Sequence, residues 1–151
     1  MKQEDKKIKM EDFVSFEIAK KLKEKGFREK CIATYDIEDG EFDFNNYILT
    51  VAYRMNLSVK DCLRLFNNTT NTGLIDAPTI SQVLKWLREE KLILIALSPT
   101  QEYDCNGFIG WCSTVYKADK QGGMSWQEEL YYQSYEEAAL AGIEYVLDNL
   151  I

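Results

Sequence analysis

Residues 78 to 97, PTISQVLKWLREEKLILIAL, change from one hydrophobic period to another, and that change decides the fold class. Pro78 and Thr79 stand where a helix begins. Proline suits a first turn because its missing N–H has no partner to lose there, and Thr79 with Gln82 makes the T-x-x-Q capping pattern. Ile80, Val83, Leu84 and Leu87 then recur at helical spacing and predict a core-facing stripe, with Trp86 near its edge. From Leu92 to Leu97 (LILIAL) the run is continuously apolar and of strand length, which predicts a central strand buried on both faces.

Toward the C-terminus, Pro99 to Asn106 reads as a loop. Gly107 to Ala118 is a second strand carrying Phe108, Trp111, Val115 and Tyr116. Lys120 to Gly123 turns the chain into a third strand, Met124 to Tyr132, with Trp126, Leu130 and Tyr132 on one face. Ser134 and Glu137 form an S-x-x-E capping box that opens a helix from Tyr135 to Leu150. Ala139, Ile143, Val146, Leu147 and Leu150 point inward, and the small residues Ala138, Ala141 and Gly142 let the helix lie close against a sheet. Residues 78–151 thus form an α-β-β-β-α unit.

Toward the N-terminus the pattern is looser. Residues 1–9 (MKQEDKKIK) are polar and unpatterned, a flexible end. Ser15 caps a helix to Lys25 whose apolar side is Phe16, Ile18, Ala19 and Leu22, with Gly26 at the left-handed stop. Its lysines, Lys20, Lys21, Lys23 and Lys25, predict a solvated face suited to the helix's negative end. Cys31 to Asp36 and Glu41 to Phe44 pair as a hairpin, with Glu38-Asp39-Gly40 in the turn. The acids of that turn lack calcium-loop spacing. Residues 46–77 read as an insert: Tyr47 to Met55 as a helix or strand, Ser58 to Phe66 as a capped helix, and Asn67 to Gly73 as a loop.

A chain of 151 residues, 46% hydrophobic, is long enough for one domain with a real core. Residues 10–151 are expected to be that domain: α+β, with an antiparallel sheet, helices packed on one face, and an N-terminal helix and hairpin extending it. No apolar run is long enough to span a membrane and the N-terminus is charged, so a cytoplasmic protein is expected.

The absence of histidine narrows the chemistry further, removing the commonest general base, the usual zinc ligands and every Ser-His or Cys-His nucleophile. Cys31, Cys62, Cys105 and Cys112 are widely spaced free thiols. No phosphate-binding or nucleophile-elbow motif occurs. A carboxylate-dependent hydrolase, with Glu128, Glu129 or Asp104 as members, ranks last among the functional readings, since nothing in their spacing selects them.

Net charge is −7 and unevenly placed: residues 1–30 hold ten Lys or Arg against seven acids, whereas residues 101–151 hold two lysines against nine acids. The α-β-β-β-α order is that of double-stranded RNA-binding modules, which grip phosphate with basic residues at the start of the last helix. Here that turn holds Glu136 and Glu137. Nucleic acid is therefore not the expected partner.

Aromatics carry the remaining hint. Trp86, Trp111, Trp126, Tyr131, Tyr132 and Tyr135 crowd the C-terminal half, more than a small core takes up. Trp111, Trp126 and Tyr132 are the candidate anchors for a protein partner or for self-association as a homodimer. A second reading is a small-ligand binder that sequesters a nucleotide signal, with Lys20, Lys23, Arg28 and Lys30 supplying positive charge.

The stretches Asp12 to Phe27 (DFVSFEIAKKLKEKGF), Ala77 to Lys91 (APTISQVLKWLREEK) and Ser134 to Ile151 (SYEEAALAGIEYVLDNLI) carry a resemblance. They resemble a widespread group of small proteins encoded by gut bacteria and by their phages and mobile elements, and cover about a third of the chain. That group joins its first hairpin to the Pro-Thr helix by a short polar connection, from which Tyr47 to Phe66 departs. The resemblance implies no assigned chemistry and no cofactor. A phage or mobile-element context implies an accessory role, such as inhibiting or decoying a host protein, and the residues themselves lead to the expectation of a non-enzymatic interaction protein.

Overall fold

The computed structural model describes residues 10–44, 56, 58, 73–100, 110–119, 121 and 123–151, with backbone only for 10, 44 and 124–131. After a 3-10 turn at Met10–Asp12, the chain forms α1 (Phe16–Glu24), β1 (Ala33–Asp36), β2 (Phe42–Phe44) and β3 (Leu74–Asp76). It continues with α2 (Ile80–Glu90), β4 (Ile93–Thr100), β5 (Gly110–Ala118), β6 (Met124–Tyr132) and α3 (Tyr135–Asn149). The fold is α+β with antiparallel sheets.

The helices start where their capping residues place them. Ser15 Oγ accepts from the Ile18 N–H, and Ser134 Oγ from the Glu137 N–H. Thr79 and Gln82 make both halves of the capping box. Each bond satisfies an N–H that the first turn leaves without a helical partner. Gly26 ends α1 at φ +90°, the left-handed geometry expected of it.

Among the described residues the strands form two three-stranded sheets, β2-β1-β3 and β4-β5-β6. The N-terminal hairpin forms as expected, with Tyr35 opposite Phe42 and Gly40 at φ +72° in the turn. Its acids hold the turn: Asp36 Oδ1 accepts from the Glu38 N–H and Asp39 Oδ1 from the Glu41 N–H, each at 2.8 Å. The hairpin belongs to a sheet of its own because β3, the last part of the expected insert, pairs with the other side of β1. Residues 45–72, apart from 56 and 58, lie outside the described residues, and with them the helical readings of Tyr47 to Phe66. So do residues 1–9.

In the C-terminal sheet the order β4-β5-β6 differs from the expectation for LILIAL: among the described strands β4 is at the edge and β5 is central. Burial alternates accordingly, with Ile93 and Ile95 buried and Leu94 exposed. The strand also runs on through Pro99 to Thr100, where a loop was expected. Proline cannot donate to a ladder, so it is tolerated within a strand only where its nitrogen faces away from a neighbour.

Buried residues from both halves form one contiguous core, from Phe13 and Val14 through Ile75 and Leu87 to Leu147. Trp86, expected near the edge of its stripe, is buried edge-on against Phe27. Gly142 lets α3 settle onto the sheet: a Cβ there would lie 2.5 Å from Ser113 Oγ and 2.9 Å from Ile95 Cγ2. A second aromatic group, Phe13, Phe16, Tyr35 and Phe42, is packed in edge-to-face contacts between α1 and the N-terminal sheet. The buried Tyr35 hydroxyl donates to Val14 O at 2.6 Å, and burial raises its pKa.

Candidate functional site

Among the described strands, β4 has a neighbour on one side only. Leu92 O accepts from the Ala118 N–H at 3.0 Å, which makes Leu92 and Ala118 a hydrogen-bonded pair. Such pairs alternate along an antiparallel ladder. Even-numbered β4 residues therefore bond to β5, and Ile93, Ile95, Leu97 and Pro99 turn their backbone groups away from it; Ile93 and Ile95 are buried there, whereas Leu97 is half-buried and Pro99 exposed. Pro99 is the one of the four with no N–H to leave unpaired.

No charged residue occurs from Leu92 to Thr100. Natural edge strands are usually blunted by lysine, by inward charge or by bulges, because an open ladder of N–H and C=O groups is a template for another strand. Here Pro99 blunts only the far end. Leu92 is 59% exposed and Leu94 38% exposed. Leu92 holds φ +55°, a conformation that costs a non-glycine residue roughly 1–2 kcal/mol, at the turn from α2 into the strand. Leu94 lies opposite Tyr116, which lies opposite Trp126, so one register row crosses all three strands.

The three aromatic anchors expected from sequence do not form one cluster. Trp111 and Tyr132 are register partners at one end of the sheet. The Trp111 ring meets Tyr135 of α3 edge-on, 5.1 Å between centroids, and is half-buried there. Trp126 lies six residues before Tyr132 on β6, roughly 20 Å along the strand, beyond a register shift at Val115/Tyr116. Trp111 and Tyr132 are brought together; Trp126 is placed with Tyr116 and Leu94 instead. Sequence reasoning missed Leu92, Leu94 and the open edge. Pro99 was the signal that marked the strand as an edge.

The expected cations are likewise divided. Lys20 Nζ is 2.8 Å from Glu17 and 4.6 Å above the Phe16 ring. Lys23 and Arg28 line a cleft of about 240 Å³ with Ala19, Phe27, Leu74 and Asp76. Arg28 Nη1 donates to the Lys23 and Phe27 carbonyls. Burial raises the Asp76 pKa, and the Lys23 charge opposes that shift. Lys30 meets α2 through its carbonyl, which accepts from Gln82; its side chain is not part of the cleft lining.

Two lysines of the expected solvated face do structural work. Lys21 reaches α3, 3.0 Å from Glu144 and 2.9 Å from Asp148, and hydrogen bonds to Asp148 and then Glu144 raise its pKa. Lys25 Nζ donates to Ile151 O.

Glu128 and Glu129 stand on β6 opposite Val115 and Thr114; Asp104 lies outside the described residues. Cys31 and Cys112 are buried free thiols, and burial, then the charges of Asp76 and Glu29, push the Cys31 pKa far up. Among the described residues no group of three His, Cys, Asp or Glu side chains is placed to hold a metal ion, and no helix is long and apolar enough to cross a membrane. No family model, curated protein or solved structure matches the chain.

Proposed function

We propose that this chain is a non-enzymatic interaction protein that works by adding a protein strand to the open edge of its C-terminal sheet. The observation that carries the reading is β4 itself: among the described strands an eight-residue edge strand without charge, with Leu92, Leu94 and Pro99 exposed and Leu97 half-buried. In this mode main-chain hydrogen bonds supply affinity, and alternate side chains supply selectivity. The resemblance to proteins of gut bacteria, phages and mobile elements supplies an accessory role, and the proposal sets it in the cytoplasm. Glu136 and Glu137 in the first turn of α3 argue against a phosphate backbone at that helix end.

The test is photo-cross-linking in living cells from an artificial amino acid at position 94. A covalent adduct with a protein, whether this chain or another, supports the reading. No adduct at position 94, with the folded chain present at normal yield, refutes it.

A second reading is favoured by one observation, the cleft that gathers Lys23 and Arg28 beside Phe27. At about 240 Å³ it falls below the roughly 300–1,000 Å³ of ordinary ligand pockets. It fits a single anionic group better than a nucleotide. A bound small molecule released on denaturation and seen by mass spectrometry would favour this reading over the first.

A further inference from the structure

We infer that the cleft between the end of α1 and β3 is a binding site for a small zwitterion, a free apolar α-amino acid held at both its carboxylate and its ammonium group. This rests on the second reading above and names its ligand. The lining has three kinds of group. Lys23 and Arg28 bring two positive charges from the last turn of α1 and the residues after it, Asp76 brings one negative charge from β3, and Ala19, Phe27 and Leu74 supply an apolar wall. A ligand that meets all three needs an anionic group, a cationic group and an apolar body. With about 240 Å³ to fill, it also has to be small.

The state of each charge supports the assignment. Arg28 Nη1 donates to the Lys23 and Phe27 carbonyls, which fixes the guanidinium beside the cleft. The N–H groups of its other two nitrogens have no partner among the described residues and are left for a carboxylate. Asp76 likewise has no hydrogen bond or ion pair among the described residues, and Lys23 acts on it through charge alone. Its side chain is open to a ligand, yet desolvated enough that its pKa is raised. An ammonium group beside it replaces the lost solvation with a charge-assisted hydrogen bond. A phosphate or nucleotide does the reverse, adding negative charge next to a carboxylate already short of water. A protein terminus carries only one of the two charged groups, so the free amino acid is the ligand that satisfies both signs. Cys31, which feels the Asp76 charge, is a buried thiol whose pKa is pushed far up, so the site binds without covalent chemistry.

The test titrates the full chain with L-leucine over about 0.1 to 10 mM and follows backbone amide shifts by nuclear magnetic resonance. Saturable shifts are expected at Lys23, Phe27 and Leu74. Two analogues each remove one charge: isocaproate lacks the ammonium group and isoamylamine lacks the carboxylate. Each is expected to bind at least about tenfold more weakly than leucine, as the loss of a hydrogen bond to a charged group requires. Asp76→Asn is expected to weaken leucine by a similar factor and to leave isocaproate at its parent affinity; if that variant fails to fold, the analogues decide alone. Isocaproate or inorganic phosphate binding as tightly as leucine, or leucine binding unchanged by Asp76→Asn, overturns the inference and upholds the anion reading. Isoamylamine binding as tightly as leucine, or no saturable shift with any of these compounds, overturns both.

Discussion

Ser113 and Gly142 show how closely single residues set the distance between α3 and the C-terminal sheet. Ser113 is fully buried and its hydroxyl has no hydrogen-bond partner, while Gly142 leaves room for that hydroxyl directly above it. Gly142→Ala is expected to destabilise the fold by about 1–3 kcal/mol through overpacking, read as a lower urea midpoint. Ser113→Ala removes an unpaired buried hydroxyl and is expected to be neutral or stabilising by up to about 1 kcal/mol. Because both changes act on one gap, the double variant should recover part of the Gly142→Ala loss, and strict additivity would count against this packing. The sequence showed that Gly142 was small and on the sheet side. It could not show which atom lay above it, because that depends on the register of three strands.

The C-terminal end of α3 illustrates the same limit at the scale of an element. Its last turn has no basic residue, although the first turn carries Glu136 and Glu137 as the helix dipole favours. The missing positive charge arrives from elsewhere: Lys25 donates to Ile151 O, Lys117 of β5 donates to Leu150 O at 3.1 Å, and Lys21 bridges Glu144 and Asp148. A lysine run read from sequence as a solvated face therefore joins α1 to α3. Lys117→Met keeps most of the aliphatic stem and is expected to cost about 1 kcal/mol in urea unfolding. An unchanged midpoint would mean that the bond contributes nothing. The helices were legible because caps and periodicity are local. The role of β4 was not, since a run of apolar residues fits a central strand as well as a one-sided edge, and only Pro99 distinguished them.

Across the whole molecule, the short β3 joins the N-terminal sheet to the start of α2, and its Asp76 lies beside Lys23 in the cleft. β3 was illegible because three residues carry no period and follow a polar run. Asp76 gives the fold a pH dependence whose sign is fixed. Its folded pKa is raised above 3.8, mainly by burial, so the folded chain holds the proton to higher pH than the unfolded chain. Stability contributed by this group is thus present below the unfolded value and falls as pH rises through the folded one. Asp76→Asn should flatten that slope when urea midpoints are compared at about pH 4 and pH 7. A slope unchanged by the substitution would assign it to other groups.

The central claim concerns the whole molecule as well: the chain takes up a protein partner at the β4 edge of its C-terminal sheet. Amide hydrogen exchange resolved by residue tests it most directly, because neighbouring amides of one strand report on opposite sides. The amides of Leu94 and Ala96, paired with β5, are expected to be protected in both the free chain and the complex. That of Leu97, which faces away from β5 on a half-buried residue, is expected to exchange faster in the free chain and to slow in the complex cross-linked from position 94. If the Leu97 amide exchanges at the same rate in the free chain and in that complex, the β4 edge is not where the partner binds.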